Sequence, residues 1–153
     1  MSEKLIQEGL QDVFQGMDEF ANEDVVINDY SPFDLSTANA PYIIIENSDE
    51  LESTQDSFAE VTIWNIPWVL VERFTDWNET QANFRTRRQA IIDKFNSEGN
   101  SRSAGGVAGV NIRTIRTVTP ILEWYSPDVA ENQRGETFPV FIFQRFVFVT
   151  EER

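Results

Sequence analysis

Residues 138–153, FPVFIFQRFVFVTEER, are the part of the sequence that most restricts the possible folds. In a β-strand, successive side chains point to opposite faces of the sheet. One face of this strand would carry Val140, Ile142, Gln144, Phe146 and Phe148. The other face would carry Phe141, Phe143, Arg145, Val147 and Val149. Because both sets are mostly apolar, the sequence predicts a strand that is covered on both of its faces.

Two other segments have the spacing of amphipathic helices. Over residues 2–21, apolar side chains recur at steps of three and four residues, which places them on one helix face, and Ser2 can cap the start. A second helix is predicted over residues 78–96, with Asn78 at its start and Gln81 at the capping-box position. The exposed side of this second helix is expected to carry Arg85, Arg87, Arg88 and Lys94.

The remaining apolar runs predict strands, separated by polar loops. Strands are expected over residues 24–30, 41–45, 58–74, 111–125 and 138–153. Loops are expected over residues 31–41, 47–57 and 96–109. The resulting order predicts a single α+β domain over residues 1–153, with a mainly antiparallel sheet of about five strands and two helices packed on one face.

Two further features concern how these strands pair and which side chains share a face of the sheet. Pro67 lacks an N–H donor, so it indicates a sheet edge or a bulge within the strand over residues 58–74. In the strand over residues 111–125, strict alternation places Arg113 with Ile115 on one face and Arg116 with Val118 on the other.

The acidic residues are concentrated at one end of the chain, whose net charge is -14. Residues 1–60 contain 15 Asp and Glu residues and one basic residue, Lys4, whereas residues 61–153 contain 11 acidic and 11 basic residues. This asymmetry can serve solubility alone. It also suits a subunit with one acidic and one more basic surface, copies of which can associate head to tail.

The residue types argue against an enzyme. The chain has no histidine, which removes the commonest general base and metal ligand, and it has no cysteine. No spacing singles out a catalytic pair among the 26 carboxylates. We therefore expect a protein that is not an enzyme, with no catalytic residues, no cofactor and no bound metal.

Three weaker motifs each have a chemical and a structural interpretation. Asp49–Glu52 can hold a hard cation or form a solvated acidic loop, and the second reading is favoured. The glycine-rich run 103–109 lacks the P-loop ending, so a mobile loop is favoured over a phosphate site. Trp64, Trp68, Trp124 and Tyr125 can stack on a sugar, but at strand spacing they are more typical of a core.

The arginine cluster of the second helix suggests a contact surface. Arg85, Arg87 and Arg88 are expected to meet an acidic surface, most simply the amino-terminal third of another copy; ordinary solvation and nucleic acid are the alternatives. Two helices cover only one face of a sheet, so the apolar second face is expected to need a neighbouring subunit. The predicted subunit-interface residues are Arg85, Arg87, Arg88, Arg113, Arg116, Phe141, Phe143 and Arg145.

The amino-terminal segment is acidic and amphipathic, and it contains no continuous apolar stretch. No run of residues approaches the length of a transmembrane helix. We therefore expect a protein made in the cytoplasm that has no membrane partner.

The order of these segments resembles the tail terminator (tail completion) proteins of long-tailed bacteriophages, the group that includes that of phage lambda. The resemblance covers nearly the whole chain. It is carried by the opening amphipathic helix, PYIIIE, EVTIWNIPWVLVERF, the helix ETQANFRTRRQAIIDKF, and the closing strands NIRTIRTVTPILEWY and FPVFIFQRFVFVTEE.

This resemblance implies a structural virion protein. Such proteins form a ring, usually a hexamer, on the head-proximal end of the tail tube, where they stop tube polymerisation and present a surface to the head connector. The implied partners are further copies of the chain, the tail tube protein, the connector or neck protein, and genome DNA that passes through the lumen without specific binding. The implied location is the tail or neck of the virion, after assembly in the bacterial cytoplasm.

Two other classes of function stay open at this point. One is a different phage component, such as a neck, connector or tail-tube protein. The other is a non-catalytic module that binds a glycan or peptide through its Trp-rich strand. In the ring interpretation, residues 96–109 are expected to become ordered only on docking.

Overall fold

The computed structural model describes residues 3–30, 41–48, 51–56, 59–74, 76–125 and 140–152. The helices of this part are α1 (Glu3–Gln15), α2 (Trp77–Asn96) and α3 (Glu98–Arg102), with one 3₁₀ turn at Asn22–Asp24. The strands are β1 (Val25–Ile27), β2 (Tyr42–Ile45), β3 (Leu51–Asp56), β4 (Ala59–Phe74), β5 (Val110–Thr117), β6 (Leu122–Tyr125) and β7 (Val140–Glu152).

The closing strand β7 is paired along both of its edges. One edge pairs with β4 over almost the whole strand, and the other pairs with β5 and then β6. In the same way β4 pairs with β7 on one edge and with β3 and β2 on the other. The described strands therefore form one sheet that is five positions wide, in the order β1, β2 with β3, β4, β7, and β5 with β6.

This arrangement confirms the predicted α+β class and the mainly antiparallel sheet. Among the described strands, the pairing of β1 with β2 is parallel and the other pairings are antiparallel. The sheet has seven strands rather than about five, because two of its five positions are each filled by two short strands in line.

Both long helices pack on one face of the sheet, as predicted. Alternate residues of β4 and β7 point toward them, and Trp68 stacks on Phe146 with ring centroids 4.4 Å apart. Phe14 of α1 and Phe95 of α2 meet above this pair at 4.7 Å. Fully burying each such side chain contributes about 1.5–3 kcal/mol, so this cluster fixes the helices on the sheet.

The opposite face of the sheet carries a second apolar cluster. No helix of the described residues packs on this face, and we call it the helix-free face. The cluster consists of Tyr42, Ile44, Val69, Val71 and Phe141, with Val26 and Phe143 packed against it. The five cluster residues are buried within the single chain. The expectation that this face would need a second subunit to cover its apolar side chains is therefore wrong at these positions.

Helix α1 differs from its prediction at its end and α2 at its start, and the predicted cap Ser2 lies outside the described residues. Helix α1 ends at Gln15, where Gly16 closes the last turn by donating to the carbonyls of Asp12 and Val13. The chain nevertheless keeps Met17 and Phe20 buried. Helix α2 is capped by Asp76, whose carboxylate accepts from the N–H groups of Asn78 and Glu79, so the predicted capping box at Asn78 and Gln81 is wrong.

One predicted loop and one predicted strand are also revised. The acidic segment 47–57 contains β3, because its residues 51–56 pair with residues 59–64 of β4 in a hairpin. The single strand expected over residues 111–125 is split into β5 and β6, with Pro120 between them. Around the break, Thr119 accepts from the backbone N–H of Arg145 and from the side chain of Gln144.

The glycine-rich run 103–109 packs against α1. The expectation of a loop over residues 96–109 is wrong at Glu98–Arg102, which form α3, whereas ordering on docking stays a prediction. The run follows the short helix α3 and contains the fully buried Ala104. A side chain at Gly105 would come within 2.4 Å of the carbonyl oxygen of Gly9, and φ of Gly105 is +76°. Glycine is needed here because the two backbones touch and the conformation is left-handed.

None of the helices in the described part of the chain has the length and apolar content needed to cross a membrane.

Candidate functional site

The predicted arginine cluster of α2 does not act as one surface. Arg85 is exposed and lies 3.5 Å from the side chain of Gln81. Arg87, by contrast, is only partly exposed and forms an ion pair with Glu72 of β4, a carboxylate that is almost fully buried. The prediction of an exposed row of arginines therefore fails at Arg87, which neutralises a charge inside the domain.

Arg88 is also bound within the chain. Its Nη1 donates to Oε1 of Gln144 over 3.0 Å, and Nε2 of Gln144 donates to the carbonyl of Thr119 over 2.9 Å. Gln144 lies in the middle of β7 and is buried. Arg88 therefore links α2 to the sheet and, through Gln144, to the break between β5 and β6. Within the cluster, Arg85 alone is exposed, and Arg87 and Arg88 are half-buried.

A pocket of about 540 Å³ opens on the helix-free face of the sheet. We call it the arginine pocket. Its apolar side consists of Pro67, Val118 and Val147. Phe146 also lines the pocket, although its ring stacks on Trp68 on the helix side of the sheet. The polar side of the pocket consists of Asn28, Tyr30, Glu46, Asn47 and Arg145. The pocket lies between the end of β2, which pairs with β4, and the end of β5, which pairs with β7. Because the backbone pairing stops at both places, a gap opens between the two strand ends.

Glu46 is the fixed point of this pocket. Its Oε1 accepts from Nη1 of Arg145 over 2.5 Å, and its Oε2 accepts from the hydroxyl of Tyr30. Both carboxylate oxygens of Glu46 are therefore engaged, and its side chain is mostly buried. The two donors hold the charge of Glu46 in place and orient Arg145 across the floor of the pocket.

The guanidinium of Arg145 keeps unbonded donor groups. The side chain is 41% exposed, and within the described residues the only hydrogen bond of the guanidinium is the one to Glu46. A guanidinium group has five N–H donors, so Nε and Nη2 stay available to an acceptor. Beside it, Asn28 and Asn47 bond to each other, Nδ2 to Oδ1 at 2.7 Å, which fixes their amides on the rim. The pocket therefore offers hydrogen-bond donors next to an apolar wall.

Two further predicted arginines lie on β5. Arg116 is exposed and pairs in register with Val147, so it borders the arginine pocket on the same face as Arg145. A bulge at Arg113 shifts the register, and its Nε lies 3.3 Å from Oε2 of Glu151. Because a bulge inserts one extra residue, Arg113 does not share a face with Ile115, which packs on the helix side, and that prediction is wrong.

The two predicted interface phenylalanines lie near one another but are covered. Phe141 is fully buried within the chain, so it offers no surface to a second subunit. Phe143 is partly buried and packs against the same apolar cluster. Of the predicted interface residues, Arg85, Arg113, Arg116 and Arg145 are the ones that present charge at the surface.

The segment that includes α1, on the opposite side of the sheet, is acidic. Residues 3–24, which include α1, contain seven acidic residues and one basic residue, Lys4. Partial burial raises the pKa of the Asp24 carboxyl above its usual value, and the neighbouring charge of Glu23 raises it further. Helix α1 packs on the helix side of the sheet, where α2 also carries the exposed Arg85, and Arg145 lies on the helix-free side. The acidic residues 3–24 and the arginine pocket therefore occupy opposite layers.

The other chemical motifs give no site in the described residues. Trp68 is fully buried in the core, and Trp64 is partly buried with its indole N–H bonded to Glu152 at 3.0 Å, so neither offers a ring to a sugar. The side chains of Trp124 and Tyr125 lie outside the described part, as do Asp49 and Glu50 of the acidic run. The run 103–109 packs against Gly9, as described above.

The sequence analysis missed the acceptor of this site. Glu46 follows directly after the apolar strand PYIII, and Arg145 is the one basic residue within the apolar core of the last strand, residues 140–149. A charged residue at such a position usually has a partner, since an unpaired buried charge is costly. Opposite charges at the end of one strand and the middle of another were therefore a usable signal for pairing.

Neither a protein-family model nor a curated protein matches this sequence.

Proposed function

We propose that this chain is a phage tail terminator: a structural virion protein that forms a ring on the head-proximal end of the tail tube. The ring stops tube polymerisation and provides the surface to which the head connector or neck protein binds. It acts without catalysis and without a cofactor. The resemblance in segment order suggests this function, and the charge arrangement of the domain supports it.

The observation that carries the proposal is an acidic segment around α1 and a pair of arginines around the arginine pocket, on opposite layers of one sheet. Residues 3–24 present seven carboxylates and one lysine on the helix side. The helix-free side presents Arg145 and Arg116 around the arginine pocket. Two surfaces of opposite charge on opposite layers of one subunit favour a head-to-tail contact between copies.

A head-to-tail contact has a defined consequence for assembly. When the rotation between neighbours closes, the result is a ring, and when it does not, the result is an open helical filament. A terminator needs the closed form, because a cap must end a tube rather than extend it. The strongly negative chain, at -14, also suits a lumen that DNA crosses without adhering, since like charges repel.

Negative-stain electron microscopy of the purified chain tests this proposal. We expect closed rings of about six copies. A central hole should be visible in each ring, because genome DNA has to pass through it. Open stacks of rings or filaments of variable length would instead favour a tail-tube protein. Particles of monomer size at every protein concentration would contradict the ring.

A further inference from the structure

Two apolar side chains are exposed beside opposite charges. Leu5 on α1 is 51% exposed, and the acidic Glu8 and Asp12 follow it on the solvent side of the same helix. Val118 is 55% exposed and forms part of the wall of the arginine pocket, next to Arg145. Exposed large apolar side chains are few in the described residues. An exposed apolar side chain beside a charge therefore indicates a surface on which a partner can bind.

The spacing of the charges on the two surfaces also corresponds. Glu8 and Asp12 are four residues apart on a helix, which separates them by about 6 Å along its axis. Arg116 pairs with Val147, two residues from Arg145 on the same face, so the two arginines are diagonal neighbours about 7–8 Å apart at their backbones. Arginine side chains are long enough to bridge the difference between the spacing of the two carboxylates and the spacing of the two arginines.

We infer that the arginine pocket binds the exposed side of α1 from a second copy of this chain. Leu5 of one copy packs against Val118 and Pro67 of the next, while Glu8 and Asp12 accept hydrogen bonds from Arg145 and Arg116. This inference rests on the proposed function, since it names the contact that would join neighbours in the ring.

The occupant follows from the placement of α1 and from the open groups of the pocket. Helix α1 packs on the helix side of its own sheet, so it cannot enter its own pocket on the other side. Both oxygens of Glu46 are already engaged, whereas Arg145 has donors to spare, so the pocket accepts a carboxylate rather than a cation. The acidic helix of a second copy supplies that carboxylate together with an apolar anchor.

Disulfide trapping tests this contact without background, because the chain contains no cysteine. One preparation carries Leu5→Cys and a second carries Val118→Cys, and the two are mixed under mild oxidation. We expect a disulfide-linked heterodimer in severalfold excess over either homodimer. The matched control replaces Val118→Cys with Leu122→Cys, an exposed aliphatic residue on the same sheet edge that does not line the pocket, and it should give little heterodimer.

The variant Arg116→Gln distinguishes a specific contact from disulfides that form by chance collision. Adding Arg116→Gln to the Val118→Cys chain removes an exposed side chain with no partner in the described residues, so folding is expected to be retained while the heterodimer yield falls severalfold. Equal yields of heterodimer and homodimers, or an unchanged yield with Arg116→Gln, would overturn the inference.

The mass of the unmodified chain, measured in parallel, distinguishes this inference from the proposed function. Rings without the heterodimer would overturn the contact and leave the terminator proposal standing. The heterodimer without rings would support the contact and count against a closed assembly. The absence of both rings and heterodimer would overturn both proposals, and it is the result expected if an unrelated acidic protein occupies the pocket.

Discussion

Gln7 of α1 supplies the hydrogen bond that Pro67 of β4 cannot make. Glu46 lies opposite Pro67 where β2 ends, and its N–H donates to the Pro67 carbonyl over 2.8 Å. The reciprocal bond would need a Pro67 N–H, which does not exist. Nε2 of Gln7 donates to the Glu46 carbonyl over 2.9 Å instead. The position at which Pro67 lacks an N–H therefore faces β2 and not β7. Pro67 can lie in this long inner strand because the hydrogen bonds between β4 and β7 do not need its N–H.

Replacing Gln7 with alanine should destabilise the domain. The carbonyl of Glu46 would lose its donor beside the core, and leaving such a group unsatisfied costs about 1–3 kcal/mol. The free energy of unfolding from urea denaturation measures the loss. Gln15→Ala is the matched control, because Gln15 makes a similar bond to Asn22 in an exposed position and should cost less.

The double variant with Pro67→Ala tests the cause of that loss. Alanine restores a backbone N–H opposite Glu46, so Gln7→Ala should cost less in this background by about 0.5 kcal/mol or more. Identical costs of Gln7→Ala with and without Pro67 would show that Gln7 does not act by replacing the proline donor.

Arg87→Ala should be far more destabilising than Arg85→Ala. Loss of Arg87 leaves the almost buried carboxylate of Glu72 without its cation, and breaking a buried pair costs about 3–5 kcal/mol, less where water reaches the pair. Arg85 is exposed, so its removal should stay within about 0.5 kcal/mol. Thermal or denaturant unfolding compares the two variants. Equal costs would mean that the cluster acts as a uniform surface after all.

Gly105→Ala and Gly106→Ala separate backbone strain from a clash. Both positions have positive φ, at +76° and +99°, and an alanine there costs about 1–2 kcal/mol in strain. Only at Gly105 would the new Cβ meet a neighbouring backbone, the carbonyl oxygen of Gly9 at 2.4 Å, whereas Gly106 faces open space. Gly105→Ala should therefore lower the free energy of unfolding clearly more than Gly106→Ala. The opposite order would contradict the packing of this run on α1.

The raised pKa of Asp24 gives a defined pH dependence. Partial burial and then Glu23 raise this pKa above the ordinary value of 3.8, so the folded protein binds the proton more tightly than the unfolded chain does. Ionised Asp24 therefore opposes folding above its folded pKa, and the opposition disappears below 3.8. Asp24→Asn should be more stable than the parent at neutral pH, and the gap should close as the pH falls below 3.8. A gap that is constant across this range would remove titration of Asp24 as its cause.

The periodic apolar segments were predictable because burial alone specifies them. The alternation in residues 140–149 places Phe146 and Phe148 toward the helices, and α2 follows the predicted span to within one residue at its start. Strand β3 was not predictable, because its polar sequence carries no alternation and it exists through pairing with β4. The bulge at Arg113 was hidden for the same reason, since register is a property of two strands together.

The candidate site was predictable only in part. Arg145 was predicted as a subunit-interface residue on the last strand, but its partner lies 99 residues away at the end of β2, and no local spacing relates the two. Arg85, Arg87 and Arg88 look equivalent in sequence, yet the register of α2 on the sheet turns two of them toward Glu72 and Gln144. Tertiary packing, which single-sequence periodicity does not contain, decides which arginine stays available.

The mass of the purified chain in solution, measured by light scattering at low and at high salt, is the most direct test of the central claim. The subunit mass is 17.6 kDa. The account predicts a closed assembly of about six subunits at low salt, and a lower mass at high salt because charged contacts are screened. A single species at the mass of one subunit under both conditions would contradict it.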